Sequence, residues 1–386
     1  MDILGFYFSW AELVTLAIML LMFVYQTCFY FRYLSGIIRQ SKKIKKNKIE
    51  FSTAQPPVSV IIAAKNEEKN LQEFLPKILE QDYPEFEVIV IDDASADDTS
   101  IILEQFKDKY PHLRTTFVPV GAKNLSSKKL AVTLGIKAAK HDILLFTDAD
   151  CSPESNQWIS HMVRNFTPET DFVLGYGPYY KEKGLLNKLI TYDTLFVAMQ
   201  YMGMALDGKP YMGVGRNLAY RKDTFFNLKG FSSHLNLLSG DDDLLVNKGC
   251  SDKNTRIEIS PESIMWSDPK KTFRNWYYQK TRHLSSSVKY KASTKKQLGI
   301  EPVSRGLFYL AFLLITLFGN IVTIIAGGIL LLVRLITQMC VINRTSKLFH
   351  GDKYYLSILF LDIFLPLFTL FVMLTGKTKK DKIRWK

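Results

Sequence analysis

Two acidic runs carry the residues of this 386-residue chain best suited to chemistry. The first follows an apolar run, Ile143-Leu144-Leu145-Phe146-Thr147, which delivers Asp148-Ala149-Asp150 at its end. On a strand, side chains at i and i+2 point to one side. Two carboxylates on one side can hold a hard divalent cation directly and through water, leaving positions for phosphate oxygens. Acidic pairs at strand ends are also common as solvated turns, so neighbouring motifs must decide between the two readings. The second run is Ser239-Gly240-Asp241-Asp242-Asp243-Leu244-Leu245. Three adjacent carboxylates repel one another, so at least one should bind its proton unusually tightly unless cations intervene. Such a group suits a general base that removes a hydroxyl proton. The alternative is a loop that happens to be acidic, which is costly ahead of an apolar helix start.

The elements that position these runs follow from pattern. Val58–Ala64 reads as a buried strand after a basic linker at 41–56, and 67–81 as an amphipathic helix with Leu71, Phe74, Leu75, Ile78 and Leu79 at helical spacing. Phe86–Ile91 is a second strand, and 97–110 and 128–140 suit further helices before Ile143–Thr147. Strand–helix alternation implies an α/β fold with a mixed, mainly parallel sheet and helices on both faces. Ligands then gather outside the carboxyl ends of the strands, where Lys65-Asn66-Glu67, Asp92-Asp93 and Asp148–Asp150 lie. Residues 170–300 are less regular and are expected to complete the sheet edge and carry a substrate surface. Within them, 272–291 is rich in aromatic and basic residues and suits an interfacial amphipathic helix.

The apolar residues are unevenly spread. Residues 13–31 run without charge over the length needed to cross a bilayer. A second block covers 307–342, broken by Gly319-Asn320 and Arg334, and a third covers 354–375, with Asp362 and Pro366 inside it. The first run has its positive charges after it, not before, which argues against a cleaved signal peptide. Arg39, Lys42, Lys43, Lys45, Lys46 and Lys48 place the residues beyond 32 on the cytoplasmic side, and the basic tail 377–386 points to a cytoplasmic C-terminus. Counting 307–342 as one span gives three spans. Counting it as a hairpin gives four and puts the tail outside, unless 354–375 is re-entrant at Pro366. The expected organisation is a membrane anchor at 1–40, a linker at 41–56, a catalytic domain at 57–290, and a membrane region with a basic tail at 303–386.

The net charge of +13 belongs with membrane lipids more than with nucleic acid, since no nucleic-acid motif accompanies it. The four cysteines, Cys28, Cys151, Cys250 and Cys340, show no paired spacing, which fits a reducing compartment.

Taken in order, the motifs from 57 to about 290 resemble those of the family 2 glycosyltransferases, inverting enzymes with a GT-A nucleotide-sugar fold, and the membrane-flanked arrangement is similar to the cellulose and hyaluronan synthase branch and its smaller bacterial relatives. Ala64-Lys65-Asn66-Glu67-Glu68 is similar to the opening YNE turn, with Lys65 in place of Tyr, and the resemblance puts Glu67 beside the nucleotide base. Asp92-Asp93-Ala94-Ser95-Ala96-Asp97-Asp98-Thr99 resembles DDGSxDxT. The resemblance makes Asp93 the acceptor for the imide nitrogen of uracil or guanine, a task suited to a carboxylate, whereas a helix-capping cluster is the plainer reading. Ser127-Lys128-Lys129-Leu130-Ala131 resembles the GKxxALNxGI helix and puts Lys128 near a diphosphate at a helix start, against the alternative of a solvated lysine.

By the same resemblance, Asp150 holds Mg²⁺ or Mn²⁺ against the diphosphate, with Asp148 touching the sugar, the ribose or the metal's water. The acidic triplet is similar to the TED or GDD motif, which makes Asp242 the general base, or Asp241 after a shift of register. Gln279-Lys280-Thr281-Arg282-His283 resembles QxxRW. Gln279 and Arg282 share a helix face, Arg282 offers a planar fork to the diphosphate, and His283 replaces the Trp that lines the acceptor site in processive enzymes. Gly213–Ala219 is expected to form an acceptor wall.

The resemblance implies a metal-dependent, inverting transferase that takes a sugar from a UDP- or GDP-linked donor. The acceptor would be lipid-linked or a glycan, at the cytoplasmic face of the cell membrane. A non-catalytic membrane scaffold on a degenerate transferase fold is the rival, for which a lost motif carboxylate would be the sign. A lipid-phosphate transferase with its site inside the bilayer is disfavoured, because the acidic motifs lie outside the apolar runs.

Overall fold

The computed structural model describes residues 2–3, 6–119, 127–235, 237 and 239–376. The basic tail at 377–386 lies outside the described residues. A two-residue hairpin, β1 (Asp2–Ile3) and β2 (Phe6–Tyr7), precedes the long helix α1 (Trp10–Phe29). This helix continues through a π turn at Tyr30–Leu34 into α2 (Gly36–Lys45).

The α/β body alternates as the pattern predicts. β3 (Val58–Ala64), α3 (Glu68–Leu79), β4 (Phe86–Asp92), α4 (Thr99–Lys109), β5 (Leu113–Phe117), α5 (Ser127–Ala138) and β6 (Ile143–Asp148) follow one another. Next come β7 (Cys151–Pro153), α6 (Trp158–Val163), β8 (Phe172–Leu174), the 22-residue helix α7 (Leu185–Leu206), β9 (Leu218–Arg221), α8 (Lys222–Asn227) and α9 (Asp243–Gly249). β10 (Thr255–Ile257), β11 (Met265–Ser267) and α10 (Phe273–Ser287) complete it.

Seven strands form one sheet in the order β10-β8-β9-β6-β3-β4-β5. β9 runs antiparallel to both β6 and β8, while β3, β4, β5 and β6 pair in parallel. β3 is buried along its whole length, as a central parallel strand must be when both faces are covered. Its alternate residues feed two cores: Ile61 and Ala63 on one face, Val60, Ile62 and Ala64 on the other. The chain order reverses between β3 and β6, so their carboxyl ends open a crevice at a topological switch point. The register sets Asp148 opposite Ala63, and Asp92 opposite Ala64. The less regular stretch does complete the sheet, through β8, β9 and β10.

The apolar block at 307–342 is a hairpin of two longer helices, α11 (Ala292–Phe318) and α12 (Ile321–Leu348), and α13 (Ser357–Gly376) follows. Among the described residues, four helices are therefore long and apolar enough to cross a membrane: α1 with its extension, α11, α12 and α13. Asn320 makes the break, since its side chain caps α12 through the Val322 and Thr323 amides while its own N–H donates to Glu12 Oε1 at 2.6 Å. α11 begins well before the apolar block, in a polar stretch that pattern alone leaves as linker.

One buried polar network ties these helices together. Asp362 of α13 pairs with Arg334 of α12 at 2.8 Å and with Arg305 of α11 at 3.2 Å, and Arg305 also pairs with Glu301. Gln26 of α1 joins through Ser304 at 2.6 Å. Two carboxylates matched by two guanidinium groups leave the cluster neutral, the condition under which ionised groups are tolerated away from water. The largest core runs without interruption from α1 through the sheet to α12 and α13. Phe349, just past α12, packs its ring against Tyr176 at 4.4 Å, tilted by 35°, and His350 reaches Glu154, one residue beyond β7.

Candidate active site

Asp148 is the last residue of β6, and Asp150 sits in the turn between β6 and β7. The two carboxylates are thus not neighbours on one strand, as simple i, i+2 geometry expects. They converge because the β7–β11 ribbon, which pairs Cys151 with Ser267, folds the turn back over the sheet end. Ligand atoms of Asp148, Asp150 and Cys151 lie within 4.8 Å of one another. Burial pushes Asp150 up, and Asp148 adds to this. Asp148 goes the other way: burial works against its charge, but Lys128 at 2.8 Å outweighs it. A desolvated carboxylate next to an ionised one calls for a cation. Two hard oxygens suit a divalent ion of the magnesium or manganese type. Burial raises the Cys151 thiol well above its ordinary value, so the thiol stays protonated and is a poor partner for such an ion.

Lys128 stands at the start of α5, where Gly135 lets the helix lie directly on the sheet; a methyl group there would meet Ile91 Cδ1 at 2.5 Å. Its ammonium bridges the two acidic runs, Asp148 Oδ1 at 2.8 Å and Asp241 Oδ2 at 3.4 Å. Burial disfavours its charge, but these carboxylates outweigh burial and keep it protonated. The solvated-lysine alternative is therefore not what the structure holds.

Asp242 precedes α9. Its Oδ2 accepts the Gly215 amide at 2.7 Å and its Oδ1 the Asp243 amide at 2.7 Å. Gly215 permits the first bond, since a methyl group there would come within 3.2 Å of Asp242 Oδ2. Burial first, then Asp241 and Asp243, pushes Asp242 up to about 7. Asp243 turns away from the cleft and accepts from Tyr290 Oη at 2.7 Å and from Ser286 at the end of α10. The triplet thus divides its work: Asp241 meets Lys128, Asp242 faces the crevice, and Asp243 ties the loop to α10.

The loop before the triplet is held by Lys129. Its buried ammonium donates to the carbonyls of His234, Leu237 and Ser239 at 2.7–2.8 Å, and burial pulls it down to about 8. Lys129→Met is expected to destabilise the fold by about 2–4 kcal/mol, because three buried carbonyls lose a charged donor. Denaturant unfolding measures this, and an unchanged midpoint would remove the role.

On the other side of the crevice, the Lys65–Glu68 turn is stitched to the segment after β4. Ser95, Asp97 and Thr99 accept from the amides of Asn66, Glu68 and Glu67, so these side chains cap the start of α3, where a cap for the helix at 97–110 was expected; of that helix, Asp97 accepts the Thr99 amide at 3.2 Å. Asp93 takes no part in it. Buried to 3% side-chain exposure, it pairs with Lys65 at 3.1 Å. Ala94 adopts φ 52°, the left-handed conformation that explains why a glycine is usual there. Glu67 lies across from the metal-side turn. Burial, with Asp150 and Asp148 adding, pushes it to about 7 against a hydrogen bond from Asn70.

α10 presents Gln279 toward the site, where it donates to Tyr179 Oη at 2.9 Å. Arg216 donates to the same hydroxyl at 3.0 Å and to Gly177 O at 2.7 Å, and its plane covers the Tyr179 ring at 4.5 Å. Both Arg216 and Arg282 act on Asp148 electrostatically. His283 opens toward the cleft; desolvation, then Arg282, Arg216, Lys280 and Lys128, holds it well below its ordinary value and neutral. Two contributors escaped the sequence reading: Lys129 is hidden beside its neighbour, and Lys270, which acts on Asp150 and Glu67, follows β11 unmarked. Arg216 falls inside the 213–219 stretch expected as an acceptor wall, but no role for its charge was read there. Only the Lys128-Lys129 pair offered a signal, since consecutive helix positions face different directions.

Comparison with known proteins bears on this geometry. Residues 59–226 match the family model described as Glycosyl transferase family 2. The chain is 26% identical over 262 residues to the probable glycosyltransferase YdaM of Bacillus subtilis, across 65% of this chain and 59% of that protein. It is 28% identical over 138 residues to a poly-beta-1,6-N-acetyl-D-glucosamine synthase of Staphylococcus epidermidis, across 35% of this chain and 32% of the relative. In each case the match spans less than two thirds of the relative's length. In fold, the chain is similar to the mannosyltransferase PcManGT from Pyrobaculum calidifontis, solved in complex with GDP-Man and Mn²⁺. That match has a TM-score of 0.58 and 18% identity, covering 95% of this chain and all of that one.

Proposed function

From a chain that carries a family 2 glycosyltransferase domain of GT-A fold, joined to membrane-length helices, we propose an inverting, metal-dependent transfer of a sugar from a UDP- or GDP-linked donor to a lipid-linked or glycan acceptor at the cytoplasmic membrane face. The observation that carries this reading is the bridge made by Lys128, which ties the metal-side carboxylate Asp148 to the acidic triplet. Donor and acceptor chemistry thereby share one crevice.

In this reading Asp93 and Lys65, with Glu67 beside them, receive the nucleotide base. Lys128, Arg282 and Gln279 face the diphosphate, joined by Arg216. Asp150 and Asp148 would hold Mg²⁺ or Mn²⁺, whose charge would neutralise that developing on a leaving diphosphate. Asp242, or Asp241 in the alternative register, takes the proton of the acceptor hydroxyl. The freed oxygen attacks the anomeric carbon from the side opposite the diphosphate. The new glycosidic C–O bond forms as the bond to the diphosphate oxygen breaks, the nucleoside diphosphate leaves with that electron pair, and the anomeric centre inverts. The relatives' names support a sugar transferase, PcManGT's ligands support a nucleotide sugar with a divalent ion on this fold, and the cations of α2 support the cytoplasmic side.

A panel of nucleotide sugars with Mn²⁺, read first by thermal stabilisation and then by transfer, tests the reading. At least one UDP- or GDP-sugar is expected to stabilise the chain and to yield a product of inverted configuration by NMR. Binding with no turnover across donors and acceptors favours the scaffold reading instead. A pH profile adds a second test. Asp242 must be ionised to act, and its proton leaves near 7, so kcat/KM is expected to rise with pH and level off above about 7. A profile already flat from pH 5 would remove Asp242 as the base.

A further inference from the structure

α13 is long and apolar enough to cross a bilayer, its 20 residues extending about 30 Å. A helix that crosses leaves the catalytic body behind after its first turns. α13 meets that body at both ends, while between them Asp362 pairs with Arg305 of α11 and Arg334 of α12. Just before it, Tyr354 meets Tyr192 of α7 edge to face at 5.0 Å. Asp362 pairs with Arg305, whose guanidinium lies over Phe196 of α7 at 4.9 Å. In its second half, Phe368 stacks on Trp276 of α10 at 4.5 Å and 17°. At its end, Thr375 shares a 2.7 Å hydrogen bond with Tyr277, and Gly376 presses on Thr281 so closely that a methyl group would meet Thr281 Cγ2 at 2.7 Å. α7 and α10 are themselves joined by Lys280 and Asp193 at 2.8 Å. Both ends of α13 therefore lie on one layer, the layer that also holds Gln279 and Arg282.

The two faces of α13 tell the same story. Ile358, Leu361, Leu365 and Val372 are buried against protein. Leu356, Leu359, Ile363, Leu367, Leu370 and Leu374, at spacings of three and four, form one exposed stripe over the full length. The far side of the bundle lies elsewhere. There the α11–α12 turn meets the start of α1 through Asn320 and Glu12, about 20 Å along α1 from Gln26 and the buried polar network.

We infer that α13 does not span the bilayer but lies in its plane, with the exposed leucine stripe seated in the acyl–headgroup boundary on the catalytic side and α10 resting on its back. The chain then crosses three times, through α1, α11 and α12, and residues after Gly376 stay on the side of the 41–56 linker. This goes beyond glycosyl transfer and does not depend on it. It also accounts for two basic segments, the linker and the tail at 377–386, on one side of the membrane.

Epitopes placed before Met1, in the linker after Lys46, and after Lys386 test the topology in intact and permeabilised cells. The linker and C-terminal epitopes are expected to be reached together, only after permeabilisation, and the N-terminal one without it. A C-terminal epitope that sides with the N-terminal one overturns the proposal. Nitroxides attached singly at Leu359→Cys, Ile363→Cys, Leu367→Cys, Leu370→Cys and Leu374→Cys, in a background without the native cysteines, report depth directly. Equal depths within about one helical turn are expected. A steady progression of about 1.5 Å per residue into and past the bilayer centre overturns the proposal. Neither assay reads transfer, so its failure is distinct from failure of the enzymatic reading.

Discussion

Asp242→Asn is expected to lower kcat by about 10²–10⁴-fold, the usual worth of a positioned general base, while raising the melting temperature. The two effects have one cause. The carboxylate is held where burial and its two acidic neighbours disfavour its charge. A carboxyl group whose folded pKa is raised binds its proton more tightly when folded. Its contribution to stability is full below the unfolded value and is lost as pH rises through about 7. At pH 8 the wild type therefore carries a destabilising charge that the amide lacks. Asparagine keeps one of the two oxygens that accept the Gly215 and Asp243 amides and sets an NH2 against the other, which offsets part of this gain at every pH. A rise of at least about 2 °C at pH 8, absent at pH 5, is the expected calorimetric result. A variant that loses activity and stability together would make Asp242 a structural residue. Asp241→Asn is the control. It breaks the Lys128 contact without touching the Gly215 bond, so full activity in Asp242→Asn with loss in Asp241→Asn moves the base to Asp241.

Asp150→Ala is expected to remove transfer by about 10³-fold, since charge stabilisation at a leaving diphosphate is worth several kcal/mol. Its effect on stability should change sign with the ion. Burial and Asp148 push Asp150 up, so without metal the ionised carboxylate costs stability at neutral pH, and alanine should melt higher. With Mn²⁺ present, only the wild type gains from binding, and the order should reverse. Thermal melts with and without Mn²⁺ read this crossing directly. Melting curves for the two proteins that keep the same order under both conditions would remove Asp150 from the metal site. Cys151→Ser should behave like wild type in the same experiment, because the thiol stays protonated beside the turn.

The legible parts of this chain were those where one short segment carries its whole meaning. The buried strands announced themselves because parallel strands covered on both faces need continuous apolar runs, and Asp148, Asp150 and Asp242 followed because strand ends and helix starts fix where they sit. What pattern could not reach was partnership across the chain. Arg216 meets Gln279 only through Tyr179, residues that share no local motif. Lys129 resembled its neighbour until the loop from His234 to Ser239 closed over it. Asp243 read as part of an acidic triplet, yet its partner is Tyr290, far along the chain. α11 was cut short because its first turns are polar and include Pro302, and composition marks a helix in lipid but not its extension into water. α13 shows the converse, where length and hydropathy suit a span while its two ends rest on α7 and α10.

The contact of the Phe349 ring with Tyr176 links the crevice to the C-terminal helices. Tyr176 precedes Gly177, whose carbonyl positions Arg216, so one wall of the crevice rests on a segment translated after three of its long apolar helices. A nascent chain that has released only residues up to 290 has its sheet but lacks that support, along with the core residues Val341, Ile342, Phe349, Tyr354, Ile358, Leu361 and Leu365. A chain ending before residue 349 is therefore expected to hold Tyr176, and with it the Gly177 carbonyl that Arg216 uses, less firmly than the full chain does.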